Sequence, residues 1–336
     1  MIRHELHTGP FNFEAGGRLD SIPVVYHTSG NRSGKVIWIC HALTANSDPE
    51  DWWPEMVGPG KLLDTEKYFI VCVNMLGSSY GSAGPATPNP ADGKPYFFDF
   101  PAVTIRDMIQ ATDLVRTHLG IEKIDLLIGS SIGGFQALEW AVSEPERIEK
   151  AIFIATSARI SPWLGATVEA QRMALEADPT FRAAQNLEGG SEGLKCARAQ
   201  AIISYRCFDG FQLTQYEQDE DCLFAGRVAS YERYQGAKLL RRGFDAYSYY
   251  YLCNALDSHN IGRGRGGVAK ALGRIQARST VVNILTDTIF PLQDMDVWAP
   301  WIPGADYHHI PSNFGHDGFL LETAALSSII EPLLCK

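Results

Sequence analysis

Hydrophobic and polar positions alternate in two different periods along this chain. Short, largely apolar and β-branched runs at residues 22–28, 35–40 and 68–73 predict strands covered on both faces. Pro23 is compatible with this because it falls at the start of its strand. Between residues 104 and 119 the period changes, and Ile105, Met108, Ile109, Leu114 and Val115 share one side of a helix. A buried strand is expected at 123–128, a helix at 134–143 and another strand at 151–155. From about 162 to 273 the chain holds helix formers, aromatics and arginines but few strand-like runs. Strand patterning returns at 280–285 and 307–310, and a last helix starts near Phe319. This order predicts an α/β architecture, a mostly parallel sheet with helices on both faces. Residues 1–161 and 274–336 are expected to form the core domain, and 162–273 an inserted helical lid.

Composition narrows the picture. The 336 residues are 45% hydrophobic and 20% charged, which suits a globular α/β domain with an insertion. A formal net charge of −10 argues against nucleic acid as a partner. The densest basic stretch, Arg263 to Lys270 with Arg241 and Arg242 upstream, is broken by glycines. Seven cysteines (Cys40, Cys72, Cys196, Cys207, Cys222, Cys253 and Cys335) are far apart and form no CxxC pair. Reduced thiols are therefore expected, with neither a disulfide framework nor a metal site. The first residues lack the apolar stretch of a secretory signal, and no window reaches the ~20 apolar residues of a membrane helix. The expectation is a soluble cytoplasmic protein.

The chemistry concentrates where the buried strand meets the helix. Residues 124–135 read IDLLIGSSIGGF, which is a strand, then G-x-S-x-G, then a helix. Gly129 and Gly133 leave room for strand and helix backbones to approach, and the sharp turn lifts Ser131 clear of the sheet as a nucleophile. The motif alone is common in loops; its strand and helix context gives it weight. The N–H of Ile132, at the helix start, faces the place where negative charge develops on a substrate.

A serine hydroxyl needs a base, and the base an acid to hold its tautomer. Asp287 follows the strand at 281–285, and His316 lies in the loop after the last strand. The chain order Ser131, Asp287, His316 is that of a serine triad on this kind of sheet. Asp294 and Asp296 are rival acids, placed on the following helix where a solvated role is expected. His308 and His309 lie on the last strand, one expected to point into a layer and the other out, and His259 falls in the insertion. A second oxyanion donor is expected from the loop after residues 36–40, with the N–H of Leu43 as candidate.

With these residues in view, the chain resembles the homoserine O-acyltransferases of the α/β-hydrolase superfamily. The matching strings are HALT (41–44), NMLGSSYGSAGP (74–85), TIRDM (104–108), GGFQALEW (133–140), SYR (204–206), YQG (234–236) and GHD (315–317). The resemblance implies ping-pong transfer of an acyl group, acetyl above all, from acyl-CoA to the hydroxyl of L-homoserine, in methionine biosynthesis. It implies acyl-CoA as a co-substrate and no other cofactor, and a homodimer. It further implies that Arg206 and Asp317 hold the amino acid, which suits a zwitterion needing a cation for its carboxylate and an anion for its ammonium. The plainer roles are a helix salt bridge for Arg206 and an N-cap for Asp317. The chain departs from the family at Ser130 and Ile132, where Gly and Met are commoner, and at Thr286, where Ser is commoner. The change at 132 bears on which acyl chain fits. Alternatives are a succinyl-CoA or serine-directed transferase, or an esterase or lactonase with the same triad. A non-catalytic binding protein on the same scaffold would be expected to have lost a triad member.

Overall fold

The computed structural model describes residues 1–184, 186–224 and 226–335. Its centre is an eight-stranded sheet. The strands are β1 (Ile2–His7), β2 (Pro23–Thr28), β3 (Val36–Cys40), β4 (Phe69–Val73), β5 (Leu126–Ser130), β6 (Lys150–Ile154), β7 (Arg278–Ile284) and β8 (Asp306–Ile310). Their spatial order is β1-β2-β4-β3-β5-β6-β7-β8. The pairs β1–β2 and β2–β4 are antiparallel and all the others parallel. β4 and β5 are buried at every position, as continuous apolar runs in a doubly covered sheet require.

Alternate side chains enter two separate apolar layers. Trp38, Leu127, Phe153 and Val281 face one, which includes helices α1 (Ile105–His118) and α2 (Ile132–Ser143). Ile37, Ile39, Ile128, Ile152 and Ile284 face the other. A reciprocal cap starts α1: the Thr104 N–H donates to Asp107 Oδ2 at 2.8 Å, and the Asp107 N–H to Thr104 Oγ1 at 3.2 Å.

Between β6 and β7, which pair directly, the chain leaves the sheet as α3 (Pro162–Glu176), α4 (Ser191–Tyr205), α5 (Phe208–Gln215), α6 (Gly226–Arg241) and α7 (Ala246–Asp257). After β7 come α8 (Leu292–Trp298) and α9 (Thr323–Cys335); Leu326, Ile330 and Leu333 of α9 fill the second layer.

Among the strands and their junctions, the structure departs from the sequence expectations at β1, at the serine turn and at β8. β1 was not anticipated, because its residues IRHELH are mostly polar and exposed; the strand is held by antiparallel pairing at the sheet edge. β5 runs on to Ser130 and α2 starts at Ile132, so one residue, Ser131, separates them. His308 and His309 are both exposed, instead of one pointing inward, because β8 is an edge strand buried only at Ile310.

Candidate active site

Ser131 occupies the single-residue turn with φ 57° and ψ −128°, a strained conformation for a side-chain-bearing residue. Hydrogen bonds on both sides hold it there. Its N–H donates to the Ile154 carbonyl at 3.1 Å, and its own carbonyl accepts from Gly134 N at 2.9 Å and from the Thr156 hydroxyl at 2.9 Å. Close packing fixes the rest. A Cβ on Gly129 would lie 2.3 Å from the Gly133 carbonyl oxygen, and one on Gly133 would lie 2.0 Å from that of Cys40. No side chain fits at either place.

The contact between Gly133 and the end of β3 brings the two candidate oxyanion donors into one neighbourhood. Ile132 is the first residue of α2, so its N–H has no partner within the helix. Leu43 belongs to a peptide unit whose carbonyl, on Ala42, accepts from Ala45 N at 3.0 Å and bonds His41 Nδ1 at 2.9 Å. In a trans peptide the N–H points opposite to the carbonyl, so the Leu43 N–H faces away from those bonds. Burial pushes the His41 pKa down to about 4, which keeps the ring neutral. Its Nε2 then accepts from Met75 N at 3.2 Å while its Nδ1–H donates to Ala42. The bonds that give His41 this positioning role are formed with backbone groups and leave no sequence signal beyond the HALT string.

Asp287 and His316 come together from loops 29 residues apart, with His316 Nδ1 2.7 Å from Asp287 Oδ2. The other carboxylate oxygen accepts from Ile289 N at 2.8 Å and Phe290 N at 3.0 Å. Thr286 ties the two loops: its hydroxyl donates to the Ser312 carbonyl at 2.8 Å and accepts from Gly315 N at 3.1 Å. His316 is buried among Tyr205, Phe290 and Phe319. Burial lowers its pKa, but the Asp287 charge and hydrogen bond, with Asp317 adding to them, outweigh this and raise it above 6.5.

The rival residues are elsewhere. His259 is buried, stacks on Phe135 at 3.8 Å and bonds the Ser157 carbonyl at 2.8 Å; burial drives its pKa down to about 3. Asp296 is exposed as expected, whereas Asp294 is half-buried. The Asp294 Oδ2 is buried without a hydrogen bond, and burial raises its pKa although the Ser157 hydroxyl opposes this.

Ser131 and His316 line one cavity of ≈ 360 Å³ together with Leu43, Arg206 and Asp317. Arg206 Nε lies 3.0 Å from Asp317 Oδ2, an ion pair whose angle falls short of a hydrogen bond. The expected N-cap bond of Asp317 is absent, because its carboxylate turns to Arg206 instead of the backbone of the short helix that follows. Burial raises the Asp317 pKa, opposed by Arg206, His316 and Arg198. A second, smaller cavity of ≈ 30 Å³ opens on Ser131, lined by Leu43, Ile132, Leu164, Val168, Leu256, Ile289 and Phe290 with polar neighbours but no Lys or Arg. Among the described residues, no group of three His, Cys, Asp or Glu converges to hold a metal ion, and no helix is long and apolar enough to cross a membrane.

A strained serine between strand and helix, with an Asp–His pair on later loops, is the arrangement of an α/β-hydrolase-fold protein. A family model for that fold matches residues 35–323. A homoserine O-acetyltransferase of Cyclobacterium marinum is 43% identical over 323 residues, covering 95% of this chain and 91% of that protein. Two solved structures align along 100% of the chain. One is a homoserine O-acetyltransferase from Staphylococcus aureus, 28% identical, TM-score 0.83, with 95% of that chain covered. The other is an acetylester hydrolase from Corynebacterium glutamicum, 25% identical, TM-score 0.81, with 96% covered. The chain belongs to the homoserine O-acetyltransferase family of α/β-hydrolase-fold proteins.

Two outcomes follow from this geometry. Asp287→Asn is expected to slow acylation of Ser131 by about 10⁴-fold, since it favours the wrong imidazole tautomer. Asp294→Asn and Asp296→Asn are expected to leave the rate near that of the parent. p-Nitrophenol release from p-nitrophenyl acetate measures all three, and a reversed ranking would reassign the acid. The second outcome concerns pH. His316 acts as a base only when neutral, so the rate falls as pH drops through its raised pKa, with a midpoint above 6.5. Asp317→Asn removes an anion that raises this pKa, so it is expected to move the midpoint to lower pH. A pH–rate profile of acylation checks the sign.

Proposed function

We propose that this protein transfers the acetyl group of acetyl-CoA to the γ-hydroxyl of L-homoserine through an acetyl-Ser131 intermediate, the acetylation step of methionine biosynthesis. The observation that carries the reading is the Arg206–Asp317 pair, set beside His316 in the same cavity as Ser131. Water as the acceptor requires no paired cation and anion beside the base. A zwitterionic amino acid needs one of each.

In the first half-reaction His316 Nε2 takes the Ser131 proton as Oγ attacks the thioester carbon. The carbonyl oxygen gathers negative charge against the N–H groups of Leu43 and Ile132. The C–S bond breaks, and the imidazolium returns the proton to the CoA thiolate. In the second half-reaction His316 takes the proton of the homoserine hydroxyl, whose oxygen attacks the acetyl carbon. Ser131 Oγ then leaves and recovers the proton. Asp287 stabilises the imidazolium in both directions. Arg206 holds the acceptor's carboxylate and Asp317 its ammonium, which aligns the hydroxyl with the ester.

The small cavity supports acetyl over succinyl. It is the smaller of the two cavities at Ser131, and Ile132, Leu164, Val168 and Phe290 give it an apolar wall that suits a methyl group. A succinyl carboxylate there would be buried without a cation. The reading includes a cytoplasmic homodimer, supported by free cysteines and by exposed Phe208, Leu213, Tyr216, Leu223 and Phe224 on α5 and the segment after it. Light scattering checks the dimer.

The test of the reaction is incubation with acetyl-CoA or succinyl-CoA, with and without homoserine, followed by product mass. O-acetylhomoserine is expected as the main product. Acetate release indifferent to homoserine would make the protein an esterase, the activity named for its Corynebacterium glutamicum neighbour. Arg206→Ala then separates the half-reactions. It is expected to retain the single-turnover CoA burst and acetyl-enzyme mass while losing transfer roughly 10- to 100-fold, the scale of one charge-assisted contact. Arg206→Lys recovers only part, since a point charge lacks the bidentate fork. Ser131→Ala, the control, gives no burst. Equal loss in both half-reactions of Arg206→Ala would remove Arg206 from the acceptor site.

A further inference from the structure

The larger cavity contains a cation to which the mechanism above gives no task. Arg198 lies on α4 about two turns before Arg206 and lines the cavity with Ser131, Arg206, His316 and Asp317. Its guanidinium stacks over the Tyr205 ring, 5.2 Å from the centroid. Its Nη1 is buried and makes no hydrogen bond. A buried donor left unpaired is costly, more so when charged, and native structures rarely tolerate one without a function. Glu232 on α6 is the acidic neighbour outside the candidate site. Its two carboxylate oxygens also take no hydrogen bond, so the two residues do not satisfy each other. The Arg198 charge acts on Asp317, Tyr205 and Tyr249 as well as on Glu232.

Position separates this arginine from the other cations of the cavity. Lys238 is exposed, and Arg242 is 40% exposed and paired with Asp51 at 2.5 Å, so both belong to the mouth. Arg198 is anchored instead on Tyr205, which also borders the small cavity at Ser131 and lies 5.8 Å from the His316 ring. An anion reaching the buried Nη1 is therefore near the reacting atoms. Of the anionic groups on the two substrates, the phosphates of CoA are separated from the thioester by the long pantetheine arm, whereas the acceptor carboxylate is a few bonds from its hydroxyl.

We propose that Arg198 is a second binding residue for the acceptor's carboxylate, gripping it jointly with Arg206 while Asp317 takes the ammonium. This rests on the amino-acid acceptor proposed above. Arg206 is already ion-paired with Asp317, and a carboxylate offers about four acceptor sites, enough for two guanidinium groups to share. The contact with the Tyr205 ring restrains Arg198, so less ordering is left to complete on binding.

The full-length protein tests this with two acceptors: L-homoserine, and 3-amino-1-propanol, which has the same ammonium and hydroxyl but no carboxylate. Arg198→Ala is expected to lower kcat/KM for homoserine roughly 10- to 100-fold. It should leave the CoA burst and the rate with aminopropanol unchanged. Arg198→Lys should fall between parent and alanine variant, and keeps the test open if the alanine variant folds poorly. Glu232→Gln should resemble the parent. A rise in KM for acetyl-CoA with a weakened burst and intact homoserine dependence would assign Arg198 to CoA and overturn the proposal. Equal loss on both acceptors, or the same profile from Glu232→Gln, would also overturn it by making Arg198 structural. Absence of transfer to homoserine in the parent enzyme would instead overturn the reaction itself.

Discussion

The site depends on one steric constraint, the approach of the first turn of α2 to the end of β3. With no Cβ at residue 133, helix backbone touches the Cys40 carbonyl. With none at 129, the strand turns into the helix through a single residue. Ser131 must then take a positive φ, a strain of order 1–3 kcal/mol. The bonds to Ile154, Gly134 and Thr156 hold it there. The same contact sets the loop after β3 against the start of the helix, so the N–H groups of Leu43 and Ile132 share a neighbourhood before any substrate arrives. Preorganised donors of this kind need no reordering during reaction.

A second constraint links the histidine loop to the helical insertion. Gly315, with φ 63°, packs where a Cβ would lie 2.8 Å from the Arg206 carbonyl carbon. Cys207 Sγ donates to the Asn313 carbonyl at 3.0 Å. The chain that carries Arg206 therefore rests on the chain that carries His316 and Asp317. Thr286 binds that loop in turn to the acid. Asp287, His316, Asp317 and Arg206 thus sit on segments joined into one mechanical unit, and displacement of the insertion would move the Arg206 charge relative to His316.

Most of the central sheet was legible because buried parallel strands write their pattern as continuous apolar runs. The position of Ser131 was legible because two close backbone approaches demand glycine at fixed spacing. Asp287 and His316 could be ordered because each follows a readable strand. What escaped depends on contacts between distant segments. β1 is stabilised by pairing and has no apolar signature. The inward or outward direction of His308 and His309 depends on β8 being an edge, which no local pattern records. Asp294 sits on the expected helix, yet burial raises its pKa against the opposing Ser157 hydroxyl of another segment. The His41 bonds to Ala42 and Met75 use backbone groups, whose partners a side-chain pattern does not specify.

A serine triad does not by itself distinguish hydrolysis from transfer, because both run through the same acyl-enzyme; the difference lies in what occupies the space beyond the ester. Here that space carries Arg198, Arg206, Lys238 and Arg242 against Asp51 and Asp317, four cations to two anions besides His316. A local excess of two positive charges in a protein of formal charge −10 is a directed field that favours anionic groups in this cavity. The cationic excess and the Arg206–Asp317 pair meet different needs. The excess is shared between the two ends of the cavity: Lys238 accompanies the Arg242–Asp51 pair at the mouth, and Arg198 accompanies the Arg206–Asp317 pair beside His316. Each end therefore combines an ion pair with one further cation, so an anionic group is favoured along the whole cavity, whereas an ammonium is favoured only where Asp317 or Asp51 can take it.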